Sequence, residues 1–425
     1  MSSIFPGNLP FTDALSSITA TLGPRTTIAL GALTLYAAVC RGLRYLRVNQ
    51  KHRQYPYKRR EDFASMTAEH AQEITQYVMS LEFPFTTEKA LQFALFRTYG
   101  IPTISKLLCQ TKQLAELSIA PRRYVDTTVL ITEFLAHSPT SERANEAIAR
   151  MNFLHSIYQK PGKISNDDML YTLSLFVTEI PRWVKEYEWR ELTQMEICAI
   201  ATLWKSIGTA MGISFAPLAH YPDFRDGLEF FEDLTAWALE YESEVMLPDE
   251  WNHKLANETT AILLFNVPDA LKPAGKHAVS ALMDDRLRKS MIYPDPPAIY
   301  THLTNTLLTL RALLIRYFFL PRPYFLRYDS LSADPDSNGR FHLKYYEAEP
   351  WYVAATWWAR NEPTAWLRWA TGKPYPDGKN YSPEGYRMFE VGPKKYEKMG
   401  KSECLGTKER LMGAQRGGCP FAVKV

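Results

Sequence analysis

From Ser65 to about Leu320 the apolar residues recur at helical spacing almost without a break. The pattern predicts helices over Thr67–Leu81, Thr87–Tyr99 and Ile101–Leu117, the last two separated by Gly100 as a stop signal. A pair follows, joined by a short turn at His137-Ser138-Pro139-Thr140. A helix capped by Ser165 then runs through Leu170, Leu173, Phe176 and Val177 to Trp183, and Pro181 is expected to kink or end it. Glu191–Met211 carries a stripe of Ile197, Ile200, Leu203, Trp204 and Ile207. Further helices are predicted at Gly227–Glu242, Glu250–Phe265, Lys276–Met291 and Ile299–Phe319. Sustained alternation of apolar and polar residues is missing, so the fold class is all-α, a helical bundle. No internal repeat is visible.

The two ends read differently. Thr26–Cys40 is charge-free and mostly apolar, shorter than the ~20 residues that span a bilayer. Arg25 and Arg41 can snorkel to the two interfaces and make up the difference. The predicted layout is a short lumenal N-terminus (1–25), a transmembrane anchor (26–47), a basic linker (48–64), a helical catalytic domain (65–320) and a loop- and Trp-rich extension (321–425). Arg41, Arg44, Arg47, Lys51, Arg53, Lys58, Arg59 and Arg60 follow the apolar run, whereas Arg25 alone precedes it. The positive-inside rule therefore places the body in the cytosol on a single-pass anchor. A signal peptide fits less well, for want of a basic start and a clean small-residue cleavage site. A buried amphipathic helix is the other alternative. In the extension, Trp351, Trp357, Trp358, Trp366 and Trp369 lie near Arg322, Arg327, Arg360 and Arg368, which fits either a surface resting on lipid headgroups or packing against the body.

Charge and cysteine usage narrow the classes. A net charge of +3 gives no reason to expect nucleic acid as a partner. The 5 cysteines are scattered, with neither disulfide nor zinc spacing, and suit a reducing compartment. The Gly-x-Ser-x-Gly elbow, P-loop, dinucleotide fingerprint and His-Glu-x-x-His pair are all absent. Without Cys-x-x-Cys-His, any haem is held non-covalently. Gly418-Cys419-Pro420 lacks the Phe-Gly flank of a cytochrome P450 thiolate loop.

The stretch Pro121–Gln159 carries the candidate chemistry. Its first helix sets Arg123 and Thr127 four apart on one face, continued by Leu130, Ile131 and Phe134. Its second starts at a cap on Thr140 or Ser141 and runs Ile148, Met151, Tyr158, with His155 in the middle of that apolar face. On the residues alone two readings of His155 stand: a core histidine bonded to a backbone carbonyl, or an axial ligand to haem with Arg123 and Thr127 facing bound oxygen.

Arg123-x-x-x-Thr127 followed by ARMNFLHSIYQKPGKISNDDMLYTLSLFVTE resembles the catalytic domain shared by latex-clearing rubber oxygenases and the fungal MpaB oxygenases. The likeness is closer to the MpaB side, through LQFALFRTYGIPTISKLL, ERANEAIARMNFLHSIYQK, WKSIGTAMGI, MIYPDPPAIY and LPRPYFLR in that order. The resemblance implies an all-helical fold around haem b and oxidative cleavage of an isoprenoid C=C bond by O₂. It further implies a farnesylated phthalide of the mycophenolic acid route as substrate and the endoplasmic reticulum membrane as location. By position His155 becomes the proximal iron ligand, and Arg123 and Thr127 line the oxygen side. The rubber enzymes carry a lysine immediately before that threonine; Asp126 stands here, so an open or water-filled sixth iron site is expected. The electron donor is not legible. The alternative in another class is a non-catalytic, membrane-tethered haem- or prenyl-binding protein; a third is a non-haem redox enzyme.

Overall fold

The computed structural model describes residues 23–111 and 119–422. Nearly all of the expected lumenal N-terminus, and the end of the helix predicted to reach Leu117, lie outside the described residues. Among the described residues there is no strand, only isolated bridges such as Phe341–Tyr386, so the class is all-α as the periodicity requires.

The N-terminal helix α1 (Pro24–Arg53) is one continuous element, long and apolar enough to cross a membrane, and its apolar window is almost wholly unburied. Helicity carries through the basic residues into the stretch expected to be linker, and Tyr55 and Tyr57 beyond it are buried in the core. The expected linker is thus partly helical and partly packed into the core.

The body follows as α2 (Ala68–Tyr77), α3 (Pro84–Thr98), α4 (Pro102–Gln110), α5 (Ala120–Ala136), α6 (Glu142–Gln159), α7 (Asn166–Tyr187), α8 (Gln194–Ala210), α9 (Gly227–Val245) and α10 (Glu250–Leu263). Side-chain caps set several starts: Ser141 accepts from the Ala144 amide, Ser165 from Asp168, and Thr193 forms a capping box with Glu196. The centre is α7, flanked by α3, α8 and α9, with Phe176 stacked on the buried Trp204 at 4.7 Å. Pro181 does not end α7. Beyond it Trp183 and Val184 are buried, and Glu179 ties Arg182 and Trp183 back across the proline, so tertiary packing outweighs the missing N–H. The single helix predicted over Lys276–Met291 is two, α11 (Lys272–Ala281) and α12 (Asp285–Ser290), because the Asp284 side chain caps a new start. α13 (Ala298–Phe318) completes the series.

The C-terminal extension packs into the same core instead of standing apart. Its short helices α14 (Trp357–Asn361) and α15 (Pro363–Ala370) precede α16 (Lys401–Gly413), which lies along α6. The fully buried guanidinium of Arg150 on α6 donates to the carbonyls of Val391 (2.8 Å), Tyr396 (2.9 Å) and Met399 (2.9 Å). Gly400, at φ 77°, lets the chain pass so close to α6 that a Cβ would lie 2.3 Å from the Phe153 ring. Of the extension's tryptophans, Trp357, Trp358, Trp366 and Trp369 are 75, 67, 60 and 63% exposed, whereas Trp351 lies under the Arg122 guanidinium. Packing against the body thus accounts for one of the five.

Candidate functional site

The short turn after α5 folds α6 back against it. That antiparallel pairing brings Arg123 and Thr127 of α5 and His155 of α6 onto one cavity of about 240 Å³. The walls are mostly apolar: Leu95 and Ile104 from α3 and α4, Leu130 from α5, Met151 and Leu154 from α6, Met169 from α7. The three residues singled out by spacing therefore share a wall.

His155 is half-buried and lines the cavity. Its Nδ1 has no hydrogen-bond partner, so the carbonyl-bonded core histidine is not what the fold builds. Burial, with a smaller push from the Arg123 charge, lowers its pKa to about 4. The ring is consequently neutral at physiological pH and keeps a lone pair available.

Arg123 is anchored from behind. Its Nη1 lies 3.2 Å from Oδ2 of Asp126, whose other oxygen accepts from the Tyr352 hydroxyl at 2.7 Å. The Arg123 Nε is buried without a partner. Asp126 is completely buried and faces the extension, not the cavity. Burial pushes its pKa up, against the opposing pull of Arg123, Tyr352 and Arg122. So the residue at the rubber enzymes' lysine position acts here as the clamp of Arg123. The Thr127 hydroxyl donates to the Arg123 carbonyl at 3.0 Å, so it offers the cavity an acceptor rather than a proton. Cys419 is remote, its thiol donating to the Ala64 carbonyl.

Two features escaped sequence reading. Tyr352 lies in the extension, and only the tertiary fold brings it to Asp126. The second is an adjoining apolar cavity of about 380 Å³ between α3, α5 and the segment 328–348, which shares Leu95 and Tyr124 with the His155 cavity. Tyr124, at the position after Arg123, was legible as part of the same helix turn but not as a partition. Among the described residues no cluster of three or more His, Cys, Asp or Glu side chains could hold a bare metal ion. An unpartnered imidazole in an apolar slot instead suits a macrocycle that brings the iron's other ligands with it.

No family model matches the chain. Curated relatives do. The chain is 41% identical over 397 residues to the ER-bound oxygenase mpaB' of Penicillium brevicompactum, covering 93% of this chain and 94% of that one. It is 38% identical to the ER-bound oxygenase mpaB of the same species, over 89 and 92% of the two chains. The chain belongs to the MpaB family of ER-bound oxygenases. Its MpaB counterpart in Penicillium roqueforti is 46% identical over 63% of this chain and 90% of its own. The MpaB relationship makes the chain an oxygenase; its relatives are named as ER-bound, and α1 is long and apolar enough to cross a membrane.

Proposed function

We propose that this member of the MpaB family is a haem b-dependent oxygenase that cleaves a C=C bond in the farnesyl chain of a phthalide, with His155 as the proximal iron ligand. The observation that carries the reading is the neutral imidazole of His155, its Nδ1 bonded to no protein group, at the wall of an apolar cavity. When bound, the haem supplies the redox chemistry with O₂ that no side chain provides.

The chain's own residues do the rest. Asp126 and Tyr352 hold Arg123 so that its free N–H groups and fixed positive charge meet negative charge developing on oxygen. Thr127 accepts a hydrogen bond from a water or a protonated oxygen. Leu130, Met151, Leu154 and Met169 exclude bulk water. The neighbouring cavity receives the lipophilic chain, and Tyr124 and Leu95 form the gate between the two. The net reaction balances as alkene plus O₂ giving two carbonyls. A farnesyl chain partitions into bilayer, which gives α1 its purpose.

The test is a pyridine haemochrome assay and absorption spectrum on detergent-purified wild type and His155→Ala. Wild type carries one haem and the variant loses it; unchanged pigment in the variant overturns the assignment. Product analysis with a farnesylated phenol under O₂ then separates catalysis from mere haem or prenyl binding. We assign the body to the cytosol from Arg41, Arg44 and Arg47. Asn380 is exposed within an Asn-Tyr-Ser acceptor and reports on this directly: a glycan there places the body in the lumen.

A further inference from the structure

Helix α13 buries none of its residues. Ile299, Leu303, Leu307, Leu310 and Leu314, spaced along one face, are 67, 51, 57, 50 and 39% exposed. A second stripe of His302, Asn305, Thr306 and Thr309 is exposed and polar. The third side faces protein: Ile315 packs on the core, Arg311 pairs with Glu188 at 3.0 Å, and Tyr300 stacks on His277 of α11. The apolar face runs on through Phe318, Phe319 and Leu320 to Tyr324, Phe325 and Leu326, which are 68, 79 and 55% exposed. A contiguous apolar surface of this extent marks an interaction site.

Its depth is fixed by the anchor. Helix α1 packs along α13. The Tyr36 hydroxyl donates to the Phe318 carbonyl at 3.1 Å, Arg44 donates to those of Phe319 and Leu320 at 3.0 and 3.2 Å, and Arg47 donates to that of Arg322. These contacts fall where α1 passes from exposed apolar residues such as Leu35 and Val39 to its arginines. With α1 read as the membrane anchor, that change of composition marks the bilayer boundary. An apolar face clasped to the anchor at that level meets lipid. Two further observations agree. Tyr324 and Phe325 sit beside Arg322 and Arg327, the aromatic and cationic composition of an interface. The polar stripe of α13 suits a helix lying in the interfacial layer and not one that spans.

We propose that α13 and the segment Phe318–Leu326 form a second membrane-embedded element, half immersed in the bilayer beside α1. The body is then docked on the membrane in one orientation, instead of swinging on a tether. The same segment leads directly into residues 328–331, which wall the 380 Å³ cavity, so the cavity edge sits next to the lipid phase.

The experiment uses the full chain in lipid nanodiscs on a Cys419→Ser background, since Cys40, Cys109, Cys198 and Cys404 are buried. Nitroxide labels are placed at Leu303→Cys, Leu307→Cys, Leu314→Cys and Phe325→Cys, and at His302→Cys and Thr306→Cys for the polar stripe. All six positions are exposed, so none disturbs the core. The first four are expected to favour collision with oxygen over a water-soluble nickel chelate by several-fold, and the last two to reverse that ratio. Preference for the chelate at all six overturns the proposal. So does low accessibility to both quenchers with spin–spin broadening, which assigns the face to a second copy of this chain.

Discussion

Helix α3 borders two buried polar neighbourhoods that obey opposite rules. On one side Arg97 is held at every nitrogen: Nε and Nη2 each donate to Glu242 at 2.7 Å, and Nη1 donates to Asp284. Tyr171 donates to the same Glu242 at 2.7 Å. A few residues along, Leu95, Thr98 and Tyr99 border the cavity lined by His155 and Arg123, whose buried Nδ1 and Nε have no hydrogen-bond partner. The first arrangement is what burial of charge demands of a structural group. The second leaves buried polar atoms unpaired, as the fold also does at Trp204 Nε1 and Arg190 Nε, and differs from those in lying against an apolar cavity.

The largest effect that tests this contrast is at His155. His155→Ala should abolish haem content outright while leaving the melting temperature of the cofactor-free protein unchanged or higher, because an unsatisfied buried nitrogen is removed; haemochrome assay and calorimetry read the two together. A melting temperature that collapses with the pigment would mean His155 is framework. Glu242→Gln is the mirror experiment. It leaves Arg97 charged, 9% exposed and short of a carboxylate, and should cost about 3–5 kcal/mol in denaturant unfolding.

Asp126→Asn comes next. It weakens the clamp on Arg123 and one acceptor of Tyr352, and should cost about 1–3 kcal/mol. Turnover should fall more than haem content, since Arg123 loses its aim while His155 is untouched. The smallest effect is at the wall of the 380 Å³ cavity, where burial and then Glu347 raise the Glu88 pKa to about 7. Between the ordinary carboxylate range and 7 the folded chain binds the extra proton, so this group's stabilisation is present at low pH and lost as pH rises through 7. With its side chain 30% exposed, the effect is screened to under about 1 kcal/mol. Glu88→Gln should flatten that part of the stability–pH profile.

Much of this was legible beforehand, for identifiable reasons. A spacing of four puts Arg123 and Thr127 on one face whatever the surroundings, and a short turn forces α6 back onto α5. Local chemistry sufficed there. Arg150 shows where it did not: an arginine amid the buried residues of α6 signals a hidden set of acceptors, but not that these are three carbonyls of the extension. The direction of the Thr127 hydroxyl was equally closed to sequence, because a helical threonine back-bonds or points outward according to its neighbours. Pro181 gave a local signal that packing overruled.

Local sequence pattern determined the all-helical class, the long apolar N-terminal helix and the meeting of Arg123, Thr127 and His155, since each depends on residues close in sequence or on one short turn. Only the tertiary structure decided that Asp126 would clamp Arg123 through Tyr352, that a second apolar cavity would open beyond Tyr124, and that α13 would lie against the anchor. Those arrangements join segments far apart along the chain. Their geometry follows from which faces the packed core leaves over, and no local pattern of residues encodes that.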